Sequence, residues 1–489
     1  MIRRAALLIA LSTVACAGDD AAEPPDTNAP CSRPARKGSP LGEHCGQLID
    51  EAGRVVLLRG VNARVEGLFD VTFDDGRKAL EEIPSYSAED AQAMRDWGFD
   101  SLRLPINWSG IEPTKDGGFD QKYLDRVEQV LDLSHAAGLR VLLDLHQDAY
   151  SKEIGEDGAP LWAIVPPPTK LLEGPLTDLE DRRLSKQVLD AFDTFFGDSA
   201  DGTFLRERFT QMAVHVMQRF GDHPAVIGLE IFNEPIATIE GIDRLNAAAY
   251  AAIRGAAPKK LYLFEPSSTR NVLDTAPLPE APLGPMTGYA PHVYTLAFVS
   301  TNAQKQAMTK ATLRTSNENA RLEADAWQAP LVITEWGFDP NAIKAGEYFT
   351  WQSELQDEYG ASSFFWVWKE RSQGNWGCFD FDPATQKFSE RTPLKQALGR
   401  VRPMAVAGWP TRSAFDRKTG VFELELDGNP SVREPHRIAV APALGAPSAA
   451  ECDDQPIEWD SAEHGEIRLR CGQGDSGHHR LRVRVPPAP

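Results

Sequence analysis

Between residues 54 and 368, short apolar runs alternate with longer stretches whose apolar positions recur every three to four residues. The short runs (54–61, 101–105, 141–145, 226–232, 261–264, 287–290, 331–334 and 363–368) are apolar on both faces and bounded by Gly, Pro or charged residues, which predicts buried parallel strands. The longer stretches (87–97, 120–137, 203–220, 241–255, 301–327 and 345–359) predict amphipathic helices. Ser87, with Asp90 three residues on, marks a helix start, and Gly138 marks a stop. About eight strand–helix repeats over roughly 340 residues predict an α/β fold, a (β/α)8 TIM barrel rather than an open doubly wound sheet.

Near Arg402 the pattern changes. Val421-Phe422-Glu423-Leu424-Glu425-Leu426 and Ile467-Arg468-Leu469-Arg470 alternate with period two and are separated by Gly, Pro and Asp. That predicts a small C-terminal antiparallel β-sandwich domain. The expected division is a catalytic barrel over 46–402 and the sandwich over 403–489. With few aromatics beyond Trp409 and Trp459, the sandwich reads as an accessory domain packed on the barrel.

Ahead of the barrel, Arg3-Arg4 precede an apolar run, and Thr13-Val14-Ala15 lead into Cys16. A basic start, a short apolar core and small residues predict a targeting signal over 1–16. Two readings stand side by side. The segment resembles a bacterial lipoprotein processing site, with Cys16 lipidated and giving peripheral membrane association, or it is an ordinary secretory signal cut near Ala15 or Ala17. Either predicts export from a bacterial cell, secreted or lipid-anchored to the envelope. Residues 17–45, rich in Ala, Asp and Pro, read as a disordered tether. In an exported chain, Cys31 with Cys45 and Cys452 with Cys471 are expected to be disulfides, and Cys378 a buried thiol.

Among 489 residues the formal net charge is −20 and 42% are hydrophobic. A surface that negative argues against nucleic acid, which needs a basic face. No glycine-rich dinucleotide fingerprint, P-loop or metal-ligand spacing follows any strand, so no cofactor and no metal are expected. The chain is expected to be a monomer.

Two apolar strands end on a glutamate, in Ile231-Phe232-Asn233-Glu234-Pro235 and in Ile333-Thr334-Glu335-Trp336-Gly337. A carboxylate at such a place is costly unless it is paired or used. In a barrel the strand C-termini build the active site, and two carboxylates there supply the acid and the nucleophile of glycosidic bond cleavage. Reading strand ends in order adds Arg103, His146 with Asp148, Asn233, His292 with Tyr294, and Trp366. Glu335 as nucleophile needs a low pKa, which Arg103 and Tyr294 could provide. Glu234 as acid/base is expected to have a pKa above that of Glu335. Asn233 is placed for a sugar 2-hydroxyl, and Trp366 for a ring platform, although period-two alternation allows Trp368 instead.

Leu102-Arg103-Leu104-Pro105, His146 after Leu-Asp-Leu, Asn233-Glu234-Pro235, His292-Val293-Tyr294, Thr334-Glu335-Trp336-Gly337 and Trp366 resemble the catalytic set of family 5 glycoside hydrolases, in the same strand order over about residues 50–400. The resemblance implies a retaining mechanism, Glu234 as acid/base and Glu335 as nucleophile. Within the family, residues 143–150 (Leu-Asp-Leu-His-Gln-Asp-Ala-Tyr), 155–162 (Gly-Glu-Asp-Gly-Ala-Pro-Leu-Trp) and 289–294 (Tyr-Ala-Pro-His-Val-Tyr) look most like endoglycoceramidases. That implies a glycolipid substrate, cleaved between oligosaccharide and ceramide, with Asp148 on the adjoining glucose. The alternative is another β-glycosidase of the family: a glucosylceramidase, a sterol glucosidase or an endo-β-glucanase. Apolar loop residues Leu68, Phe69, Val71, Phe73 and the segment 161–166 are candidates for a groove holding lipid chains.

Overall fold

The computed structural model describes residues 33–176, 182–277, 282–298, 300–371 and 376–487. Cys16 and Cys31, with the expected signal and most of the tether, lie outside them. Arg33–Pro489 is one compact unit. Among the described residues no helix is long and apolar enough to cross a membrane.

Eight parallel strands close a barrel: β1 (Arg59–Asn62), β2 (Ser101–Ile106), β3 (Arg140–Leu145), β4 (Val226–Glu230), β5 (Leu261–Phe264), β6 (Thr287–Tyr289 and His292–Val293, interrupted at Ala290 and Pro291), β7 (Val332–Trp336) and β8 (Ser362–Phe365). Each pairs with the next and β8 returns to β1. Register sets Asn62 beside Arg103 and His292 beside Glu335, so residues from distant stretches of chain share one layer.

The outer helices start where local chemistry allows. Ser87 accepts from the Asp90 N–H in a reciprocal capping box, and Asp120 accepts from Lys122 and Tyr123 N–H. Two differences from the sequence reading have local causes. The stretch 301–327 is two helices, Asn302–Ala307 and Lys310–Ala326, because Thr309 caps a fresh start. The insertion after β3, read as irregular, contains the helix Lys186–Phe196, whose Phe192, Phe195 and Phe196 pack on Phe232.

The chain after Arg400 forms two antiparallel sheets. One pairs Gly408–Asp416, Val421–Gly428, His478–Arg484, Ala449–Cys452 and Gln455–Pro456. The other is shared. Val401–Val406, His436–Val440, Glu466–Leu469 and Trp459–Ser461 continue through Val55–Val56 into the hairpin Leu41–His44 and Gln47–Asp50. The expected tether therefore does not run to residue 45. Leu41 and Leu48 of this hairpin are buried with Leu142, Ile227, Leu263 and Phe364, where their apolar side chains cover the floor of the barrel. Cys452 and Cys471 are bonded, Cys45 is disulfide-bonded, and Cys378 is a buried free thiol.

Candidate active site

Arg103, on β2, is the hub. Fully buried, it donates from Nη1 to Glu335 Oε1 at 2.6 Å and to Asn62 Oδ1 at 2.9 Å. Its Nε and Nη2 hold Glu230 at 2.8 and 3.1 Å, and Nη2 also reaches Asn233 Oδ1 at 2.8 Å. A planar five-donor fork inside a closed barrel fixes every acceptor it touches. Glu335 belongs to β7 and is only 4% exposed; its second oxygen accepts from Tyr294 Oη at 2.8 Å.

Glu234 lies four residues beyond β4, with its backbone in the left-handed region at φ 42°. Its Oε1 accepts from His292 Nδ1 at 2.8 Å and from Asn271 Nδ2 at 2.6 Å, and its Oε2 from Arg183 Nη1 at 3.3 Å. Oxygen atoms of Glu234 and Glu335 and a ring nitrogen of His292 all lie within 4.8 Å of one another. Gln147 donates to the carbonyls of Asn233 and Glu234 at 2.6 and 3.2 Å and accepts the Tyr150 N–H at 2.7 Å, which gives the glutamine after His146 a scaffolding role.

His146 bonds Asp144 through Nδ1 at 2.6 Å, with Nε2 3.5 Å from Asp148. Its ring lies parallel to half-buried Trp366 at 5.7 Å. Trp368 is 2% exposed, donates to Asp90 at 3.0 Å and packs on Phe379. β8 ends at Phe365, so alternation does not extend to Trp368, and Trp366 alone of the two faces the site. All nine expected residues, Arg103, His146, Asp148, Asn233, Glu234, His292, Tyr294, Glu335 and Trp366, gather at this end of the barrel.

The protonation order differs from the expectation. Burial pushes the Glu234 carboxyl up, but the His292 hydrogen bond and the Arg183 charge outweigh it and leave the pKa below the ordinary value. Burial also raises Glu335; the charges of His292 and Arg103 offset that only in part, so its pKa lies above 4.5. For His292, burial opposes charge, yet Glu265, Glu335 and Glu234 hold its pKa well above the usual 6.5. The extra cation at Glu234, Arg183, comes from the insertion and was not anticipated. Burial raises Asp148, but Arg183, which bonds it directly, and His146 carry it down to about 2.

The apolar loop residues also behave differently. Leu68, Phe69 and Val71 are buried, Phe69 and Val71 forming a small core with Leu80, and Phe69 also borders a cavity at the β1 loop and contacts the His146 ring at 5.5 Å. Leu161 of the 161–166 segment is exposed, and other exposed apolar side chains lie nearer the glutamates. Val272 (59%) and Leu273 (60%) follow Asn271, and Leu184 (58%) follows Arg183. Phe298 contacts Tyr294 at 4.7 Å and stacks on Trp376. Three further contributors, Glu265, Asn271 and Arg183, were not singled out. Glu265 directly follows the apolar strand β5, a signal present in the sequence; Asn271 sits on the short helix Arg270–Leu273 and Arg183 on a helical turn of the insertion, neither with a local signature. Among the described residues, side chains grouped closely enough to hold a cation are those of this network and of the Cys452–Cys471 disulfide.

Comparisons with known proteins agree with this geometry. The model for cellulase (glycosyl hydrolase family 5) matches residues 75–372, and that for the glycoside hydrolase family 5 C-terminal domain matches 400–485. The chain is 28% identical to Endoglycoceramidase I of Rhodococcus hoagii over 77% of this chain and 74% of that protein. It is 25% identical to a glucosylceramidase of Rhizopus delemar over 42% of this chain and 37% of that protein. The structure of endo-glycoceramidase II from Rhodococcus sp. superposes with a TM-score of 0.73 at 25% identity, covering 90% of this chain and 99% of that one. With a closed eightfold barrel, paired glutamates at its mouth and a family model spanning most of its strands, the chain belongs to glycosyl hydrolase family 5.

Proposed function

We propose that this protein is a retaining endo-β-glycosidase that hydrolyses the bond between oligosaccharide and ceramide in glycosphingolipids. The carrying observation is the pair Glu234 and Glu335, their oxygens within 4.8 Å and their hydrogen-bond partners different. Retaining enzymes hold their two carboxyls about 5 Å apart, whereas inverting ones leave room for a water between them. Glu335, aimed by Arg103 and Tyr294, attacks the anomeric carbon. Glu234 protonates the departing oxygen and then deprotonates the water that releases the sugar. Trp366 and the stacked His146 form the sugar's floor, and Asn233, gripped by Arg103, meets its 2-hydroxyl.

Glu234 must hold a proton when the bond breaks, and Arg183 opposes this in the free protein. A glycoside hydrogen-bonded to Asp148 competes for the Arg183 contact. As that cation withdraws, Glu234 moves toward its protonated form.

The leaving group departs on the Glu234 side, where Leu184, Val272 and Leu273, next to the Glu234 partners Arg183 and Asn271, present apolar surface to solvent. Such a rim suits hydrocarbon chains better than further sugar, and the likeness to Endoglycoceramidase I supports the same substrate class. Lactosylceramide, glucosylceramide and a soluble β-glucan test it. Intact disaccharide released from the first is expected. Glucose alone, or turnover of the glucan only, would move the assignment to a glucosylceramidase or a glucanase. We also infer export, from the Arg3-Arg4 signal and Cys16.

A further inference from the structure

We propose that Glu265 is a positioning residue that holds the acid/base glutamate through two separate contacts, an inference that rests on the glycosidase reading above. Glu265 directly follows β5 and is buried. Its Oε2 accepts the backbone N–H of Glu234 at 3.1 Å and lies 3.3 Å from His292 Nε2. The first contact fastens a residue whose left-handed backbone is unfavourable for a side chain of this size. The second is a charge contact, without hydrogen-bond geometry, that places a carboxylate opposite Nε2 while Nδ1 lies 2.8 Å from Glu234 Oε1 and 3.5 Å from Glu335 Oε2.

The other charged neighbours of Glu265 are Arg103, 3.6 Å from its Oε1, and Glu230. Neither contact accounts for Oε2. Burial and the Glu230 charge push the Glu265 carboxyl well above 4.5 despite the opposing His292 charge, so this is an expensive place for a carboxyl with only a packing role. Asn62, Glu230 and Thr334 already fasten the Glu335 side of the site, and Glu265 touches none of the Glu335 side chain's partners except Arg103 and His292. It bonds the Glu234 backbone directly and reaches Glu335 only through Arg103 and His292, so its larger influence falls on proton donation to the leaving group and its smaller one on nucleophilic attack.

Leaving-group dependence separates these two steps, because a good leaving group departs without a proton. Wild type, Glu265→Ala and Glu265→Gln are compared on lactosylceramide and on 2,4-dinitrophenyl β-lactoside. In Glu265→Ala, kcat/KM is expected to fall about 100-fold on the lipid, within the range for general acid catalysis, and by less than about threefold on the dinitrophenyl glycoside. Glu265→Gln keeps an acceptor for the Glu234 N–H and should recover part of the lipid activity. Should Glu265→Ala fail to fold, the near-isosteric Glu265→Gln carries the same comparison. Equal losses on both substrates would reduce Glu265 to a structural role and overturn the proposal, as would full activity of both variants on the lipid. A wild-type protein inert on both glycosides would instead overturn the glycosidase reading, and the positioning role with it.

Discussion

At the scale of single residues, the two glutamates differ in what surrounds them, and that difference can be read out. Glu335→Gln and Glu234→Gln should each lower turnover of a lipid glycoside by at least about 100-fold. Azide distinguishes their roles: with Glu335→Ala it should give a glycosyl azide of inverted configuration, and with Glu234→Ala one of retained configuration, both resolved by proton NMR. The pH profile carries two signs. In the free protein Glu335 has the raised pKa and Glu234 the lowered one, so the alkaline limb of kcat/KM should follow Glu335 and lie above 4.5, and the acid limb should follow Glu234. Arg183 lowers Glu234, so Arg183→Ala should move the acid limb to higher pH. An unshifted limb would remove Arg183 from the acid/base's environment. Legibility at this scale was uneven. Residues at strand ends could be found because the barrel forces strand C-termini together, whereas Arg183 and Asn271 reach Glu234 from short helical turns in connecting segments whose course no local pattern encodes. The protonation order escaped because burial raises Glu335 while the His292 hydrogen bond, joined by the unforeseen Arg183 cation, lowers Glu234.

Among the elements, periodicity located every barrel strand to within a few residues, because a strand buried on both faces has no alternative to a continuous apolar run. It failed where a polar cap interrupts a periodic stretch, at Thr309, and where a helix is short and lies in an insertion, at Lys186–Phe196. The strands also carry steric constraints that apolar pattern alone does not reveal. A Cβ on Gly60 of β1 would lie 2.2 Å from a ring carbon of Phe364 and 2.9 Å from the Ser101 carbonyl oxygen. Gly60→Ala should therefore destabilise by at least about 1–3 kcal/mol, seen as a lower urea midpoint with an unchanged slope. A midpoint equal to wild type would mean that Phe364 has room to turn away.

On the scale of the whole molecule, the sequence suggested a barrel followed by a separate sandwich, and the change of pattern near Arg402 is real. Hidden from a linear reading was the pairing of Val55–Val56 with Val401–Val406, since contacts between the two ends of a chain leave no local trace. Buried ion pairs reinforce the seam. Asp357, on the helix before β8, holds Arg59 at 2.5 Å and Arg400 at 2.9 Å, and Asp100 holds Arg402 at 2.9 Å. Asp357→Ala strands two buried guanidinium groups and should cost about 3–5 kcal/mol in chemical denaturation; a loss below about 1 kcal/mol would show that water reaches them. The shared sheet has a consequence for synthesis. The strand Val401–Val406 leaves the ribosome after more than four-fifths of the chain, so the plate beneath the barrel cannot be completed earlier. Nascent chains stalled before it should remain protease-sensitive, and a polypeptide that locks shut so late would stay threadable through the translocation channel that the proposed export requires.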